Sequence, residues 1–153
     1  HANALLSAML ASALAPLPNG ADLAVTAGRN WGHVLVERLE PGQRPDEETC
    51  IAHVAALLRS RGFAPETTTR GIILRRCPFR DLADRYPDVV CSLHAGLIDG
   101  ALDELGAPVQ LDGVEHGTTA STPCLARLRD RVPAAGRSRM PSAIMHRAGT
   151  RSK

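Results

Sequence analysis

Residues 76–106, RCPFRDLADRYPDVVCSLHAGLIDGALDELG, decide the fold. They follow the short apolar run Gly71-Ile-Ile-Leu74, which has the length and composition of a strand and carries the chain to Cys77. Pro78 and Phe79 leave that strand, and residues 80–86 can make one or two helical turns. From Asp88 the period changes. Val90, Leu93, Leu97, Ile98, Ala101, Leu102 and Leu105 recur at helical spacing, and Gly106 closes the helix. One long amphipathic helix preceded by a strand is the frame for everything else.

Upstream, residues 4–14 are apolar at nearly every position and end at Ala-Pro-Leu-Pro-Asn-Gly, which predicts a buried helix, with a partner subunit as one surface it could pack against. A second helix is expected over 21–39. Leu23, Ala27, Trp31, Val34 and Leu35 form its apolar face, and Trp31, the single tryptophan, is expected in the core. Gly28 and Gly32 either weaken that helix or permit another backbone to approach closely. A third helix starts at Asp46-Glu-Glu, with Ile51, Val54, Ala55 and Leu58 inward and Gly62 as its cap. Residues 63–69 and 71–76 read as a hairpin. Residues 108–111 and 121–128 read as two further strands joined by the polar loop DGVEHGTT. The expected class is α+β, with N-terminal helices and a small antiparallel sheet packed on one long helix.

A chain of 153 residues makes one domain. Aromatic residues are only 3%, which excludes a surface of stacked aromatics for single-stranded nucleic acid. Apolar runs fall far short of a membrane span, and no export signal is evident, which points to a cytoplasmic protein. The net charge of +2 is misleading. Residues 133–153 hold five basic residues and no acid; setting these aside leaves 13 basic residues against 16 acids over residues 1–132, a charge of −3. The division is therefore a mildly acidic folded unit, 1–132, and a basic tail, 133–153, expected to be disordered.

Four cysteines in such a chain read as thiols or metal ligands before disulfides. On a helix, residues three apart share a face, so Cys91 and His94 can offer sulfur and nitrogen to one ion. Cys77 lies one strand-end away, and Cys124 joins them if the last strand lies beside Ile72-Ile-Leu74. Thiolate and imidazole together suit zinc or an iron–sulfur cluster. The alternative is three buried thiols and a core histidine. Cys50 falls on the apolar side of the third helix and reads as a core thiol. His33 and His53 read as ordinary helix residues. Asp81 and Asp84 read as residues that cap or solvate the short helix, while Glu115 and His116 sit in a loop that could swing towards the site. A Cys–His pair could also be a nucleophile and its base, but nothing else in the chain supplies a substrate site, so no enzyme is expected.

CPFRDLADRYPDVVCSLHAGLIDGALDELGAP, followed by PCLARL, resembles the sensor half of bacterial winged-helix transcriptional regulators of ArsR-like or DeoR-like type (helix-turn-helix proteins). It is also similar to the iron–sulfur-sensing repressors of cluster-assembly operons. The resemblance covers about residues 4–128. It implies a ligand set of Cys77, Cys91 and Cys124, with His94 as the fourth ligand of a C-x-x-H variant. Those repressors often carry a further cysteine near the third, whereas Pro123-Cys124-Leu125 has one, which favours three thiolates and one imidazole. The resemblance further implies a homodimeric effector-sensing domain, 1–132, that acts on DNA through a winged-helix domain absent from this chain. The helix and hairpin order is also similar to vinyl-reductase-type ligand-binding domains. That similarity implies the second reading: a sensor of small molecules with core or redox-active cysteines and no metal.

Overall fold

A computed structural model describes residues 2–119 and 121–132; the expected tail, 133–153, lies outside the described residues. The element order is α1 (Ala2–Leu14), α2 (Gly20–Leu35), α3 (Glu47–Ser60), β1 (Pro65–Thr68), β2 (Gly71–Leu74), α4 (Arg80–Arg85), α5 (Pro87–Glu104), β3 (Val109–Glu115) and β4 (Cys124–Asp130). The protein is α+β, with a four-stranded antiparallel sheet packed against the long helix α5. No helix among the described residues is long and apolar enough to cross a membrane.

Local chemistry sets the helix boundaries. Asp46 caps α3 by accepting a hydrogen bond from the Thr49 amide at 2.8 Å. Gly62, with φ of +91°, turns the chain out of α3 into the first strand. Pro87 opens α5, where its missing N–H costs nothing. Gly106, with φ of +67°, leads out of α5, and the Ala107 amide returns to the Leu102 carbonyl at 3.0 Å.

The strand order is β1-β2-β4-β3. Leu74 lies opposite Cys124 and Ile72 opposite Ala126, the neighbour relation the sequence requires for Cys124 to approach Cys77. β3 runs four residues beyond the expected end at Leu111. An irregularity in register between Leu111 and Gly113 absorbs Asp112, and the Leu111 amide donates to Asp99 of α5 at 3.2 Å. Alternate residues of β4, namely Cys124, Ala126 and Leu128, enter the core with Ile72, Leu74 and Val109. Against them pack Val54 and Leu58 of α3 and Ile98, Ala101 and Leu102 of α5. Cys50 is fully buried there, as a core thiol should be.

The N-terminal helices differ from expectation. α2 buries Gly20, Ala24, Gly28 and Gly32, while Leu23, Trp31 and Val34 remain exposed, Trp31 by 58%. The cause is a backbone-to-backbone seam with α5. A Cβ added at Gly28 would collide with the carbonyl oxygen of Leu93, and one at Gly96 with that of Val25. Gly32 and Gly100 meet the partner helix in the same way, at Leu97 and Arg29. Ion pairs flank the seam: Arg29 with Asp99, and His33 with Glu104 at 2.9 Å and Asp103 at 3.3 Å. α2 also stops at Leu35, four residues before its expected end, because Val36 is extended. α1 is not the buried helix its composition suggests. Only Ala11 is buried, and Leu5, Leu6, Met9 and Leu10 are each more than half exposed.

A helical glycine normally gains up to about 1 kcal/mol on replacement by alanine. At Gly100 the added carbon meets Arg29 backbone that has no side chain to move aside, so Gly100→Ala is expected to reverse that sign and destabilise by about 1–3 kcal/mol. The midpoint of urea unfolding checks it; an increased midpoint would mean the seam is loose.

Candidate functional site

The residues that gather around the thiols come from four segments. Cys77 follows β2, Cys91 stands in the second turn of α5, His116 follows β3, and Cys124 opens β4. His116 Nδ1 lies 3.6 Å from Cys91 Sγ and 3.7 Å from Cys124 Sγ. Its other nitrogen, Nε2, lies 3.3 Å from Asp84 Oδ1 on α4. The Gly117 amide also points at Cys124 Sγ, at 3.5 Å. A side chain at position 117 would strike the Thr122 carbonyl, so glycine is what lets this loop fold down onto the sulfur.

Arg80 fixes the loop from the other side. Its Nη2 donates to the carbonyls of Gly117, at 2.8 Å, and Thr119, and its Nε stands 3.0 Å from Asp84 as an ion pair without hydrogen-bond alignment. Asp84 therefore does more than solvate α4: it joins Arg80 to the imidazole of His116.

Burial holds the Cys77 and Cys91 thiols neutral. Burial pushes Cys91 up to about 11, helped by its neighbours Cys124 and Cys77. Cys77 is raised for the same first reason, partly offset by a backbone hydrogen bond at Phe79. Cys77 and Cys91 are both half-buried and Cys124 is buried; none of the four cysteines is in a disulfide. A raised pKa leaves Cys77 and Cys91 little thiolate at neutral pH, which makes them poor nucleophiles. Among the described residues, no set of three or more His, Cys, Asp and Glu side chains is already arranged as a metal-ion cage.

His94 lies elsewhere. Its ring packs edge-on to Phe63, with centroids 5.0 Å apart, and tilted against Phe79 at 5.6 Å. It is 6% exposed, and its Nε2 has no hydrogen-bond partner. An unpaired buried polar atom of this kind costs about 1–3 kcal/mol. Burial alone lowers its pKa to about 4, so the imidazole is neutral at physiological pH. Of the four sequence-derived ligands, the structure brings Cys91 and Cys124 onto one imidazole with Cys77 nearby, and sends His94 into a different cavity. The imidazole at the thiols is His116, which the polar loop before Cys124 placed within reach but whose direction no spacing rule fixes. Glu115 pairs instead with Arg127 at 2.7 Å. His33 and His53 stay structural, the latter 2.7 Å from the Glu37 carbonyl.

Comparison with protein-family models, with curated proteins and with solved structures finds no match for this chain. The geometry must carry the functional argument by itself.

Two titrations follow. Iodoacetamide labelling of Cys91 in metal-free protein is expected to stay slow through pH 8 and climb to about pH 11; a plateau near about pH 8.5 would reveal an ordinary exposed thiol. His94, lowered from 6.5 to about 4, contributes stability that is present above pH 6.5 and is lost as pH falls towards 4. That contribution is on the order of 3 kcal/mol. His94→Leu is expected to flatten this part of the stability–pH curve, measured by urea unfolding at a series of pH values.

Proposed function

We propose that this chain is the metal-sensing domain of a bacterial transcriptional regulator, with Cys77, Cys91, Cys124 and His116 as the ligands and zinc as the ion. One observation carries the site: a single imidazole nitrogen faces two thiols while a carboxylate holds the ring's other nitrogen. Zinc–sulfur and zinc–nitrogen bonds of about 2.3 and 2.0 Å in a tetrahedron leave ligand atoms about 3.5 Å apart. The two sulfur–nitrogen distances of 3.6 and 3.7 Å fit that edge. They fit ligands that share one metal atom, as those of a tetrahedral zinc do. The Asp84–His116 contact is the outer-shell carboxylate that orients a metal-bound histidine and fixes its tautomer. Cys77 is the third thiolate by its electrostatic proximity to Cys91 and Cys124.

What a soft cation supplies here is a cross-link. It ties the chain before α4, the body of α5 and the turn between β3 and β4 into one unit, after displacing the thiol protons. α5 then carries the effect to α2, with which it shares a glycine seam, and α2 and α1 hold the exposed apolar faces. Those faces support assembly of two copies, with Leu5, Leu6, Met9, Trp31 and Val34 available to cover one another. The sequence resemblance supplies the regulatory reading: a change in the pairing of two copies resets two DNA-reading heads. The raised thiol pKa values oppose a nucleophilic enzyme.

Metal and acid-labile sulfide analysis on anaerobically purified protein, with a visible spectrum, tests the ligand set. The expected result is one zinc per chain, reduced at least tenfold in occupancy by His116→Ala and unchanged by His94→Ala. Iron with sulfide and visible colour would replace zinc by a cluster. Loss of metal in His94→Ala, but not in His116→Ala, would overturn the assignment of the imidazole.

A further inference from the structure

The loop between β3 and β4 brings two of the four ligands together, since His116 precedes it and Cys124 follows it. A side chain from α4 holds that loop in shape. Arg80, its side chain 21% exposed, turns its guanidinium to the loop carbonyls: Nη2 donates to Gly117 and Thr119, and Nη1 stands 3.5 Å from Thr122. Its Nε lies 3.0 Å from Asp84 Oδ1, the same oxygen that lies 3.3 Å from Nε2 of His116. The backbone amide of Arg80 donates to the Cys77 carbonyl at 3.2 Å, so the residue is tied to a third ligand as well. Its neighbours Phe79 and Leu82 instead line an apolar cavity of about 460 Å³ between α1, α2, α4 and α5.

We infer that Arg80 is the positioning residue of the metal site, shaping the loop so that His116 and Cys124 stand ready before an ion arrives. The inference rests on the metal reading above and adds to it a residue that touches no ion. The carbonyls of Gly117, Thr119 and Thr122 converge on one cation, and carbonyl dipoles aimed at a common point repel one another once that cation is removed. Through Asp84 the same guanidinium orients the imidazole. A carboxylate on Nε2 keeps the ring proton there and leaves Nδ1 bare towards Cys91 and Cys124. Charge acts in the same direction. Three thiolates around a divalent ion carry one net negative charge and Asp84 adds another, of which the guanidinium offsets one. A lysine supplies the charge but not the fork, since a point-like ammonium lacks the five fixed donors that let Arg80 hold carbonyls and a carboxylate together.

Zinc affinity, read by competition with a chelator on the reduced full chain, tests the inference. Arg80→Ala is expected to weaken zinc binding by about 10–100-fold, the usual effect of removing an outer-shell partner, and Arg80→Lys to recover only part of that loss. Gly117→Ala, whose added carbon would strike the Thr122 carbonyl, should weaken binding by opening the same loop from within. Arg131→Ala removes an arginine bonded at the C-terminal end of α5, away from the thiols, and should leave zinc affinity unchanged. Two further readouts use metal-free protein. Iodoacetamide labelling of the buried Cys124 should be faster in Arg80→Ala by at least about tenfold, as the loop opens. The nitrogen-15 signals of the His116 ring should move from one tautomer towards a mixture. Unchanged zinc affinity in Arg80→Ala, or full recovery in Arg80→Lys, would overturn the role of Arg80 and leave the metal site standing. So would Cys124 labelling and a His116 tautomer that do not respond to Arg80→Ala. Wild-type protein that binds no zinc would overturn the metal reading, and this inference with it.

Discussion

The contact on which the rest depends is the glycine seam between α2 and α5. Gly28 and Gly32 on one helix and Gly96 and Gly100 on the other remove four side chains, and the backbones touch where those carbons would have been. Neither helix gains hydrophobic area from this in the usual way. The gain is dispersion contact between close-packed backbones and the burial of α5 on a second side. Ion pairs from Arg29 and His33 to Asp99, Asp103 and Glu104 run beside the seam and fix its register. With the sheet and α3 on its other side, α5 becomes an inner helix. That is why one helix can present groups to two separate cavities.

The same seam inverts α2. A helix that buries alanine and glycine must turn its large residues outward, so Leu23, Trp31 and Val34 face away from the core. α1 adds Leu5, Leu6, Met9 and Leu10 to the exposed apolar surface of the N-terminal half. The opposite sheet face is treated quite differently. There Arg75 pairs with Glu66 and Arg127 with Glu115, exposed pairs that contribute at most about 1 kcal/mol each but keep the face wet. Surface chemistry thus divides the molecule into a half with exposed apolar side chains and a half covered by ion pairs.

How legible this was in the sequence follows from which signals carry hydropathy. The apolar runs of the strands and the i, i+3, i+4 stripe of α5 are strong signals, and they make the class and the hairpin legible, whereas the pairing of Cys124 with Leu74 is a condition that only the sheet order supplies. α2 was misread because glycine and alanine scarcely register as hydrophobic, so the eye follows leucine and tryptophan to the wrong face. His94 was misplaced for a geometric reason. Residues three apart on a helix differ by about 60° in direction, which is harmless on a helix buried on one side. On a helix walled on several sides it is enough to send Cys91 to one cavity and His94 to another. His116 was within view but undirected, since the fold of its loop depends on Arg80, some 36 residues earlier in the chain, and on the close approach at Gly117.

The short segment Cys77-Pro-Phe79-Arg80 is where the two cavities meet. Cys77 faces the thiols, Phe79 leans on the His94 ring and lines the apolar cavity, and Arg80 holds the loop that carries His116. These residues cannot move independently, because Pro78 fixes one backbone angle and Arg80 opens α4. A displacement of Cys77 towards Cys91 and Cys124 must therefore shift Phe79 against His94. Ligands at two sites influence one another only through a structural element whose position each of them favours differently. This segment touches both places. The chain before α4 thus joins the surroundings of the thiols to the apolar cavity, while α5 is held on its other side by the glycine seam.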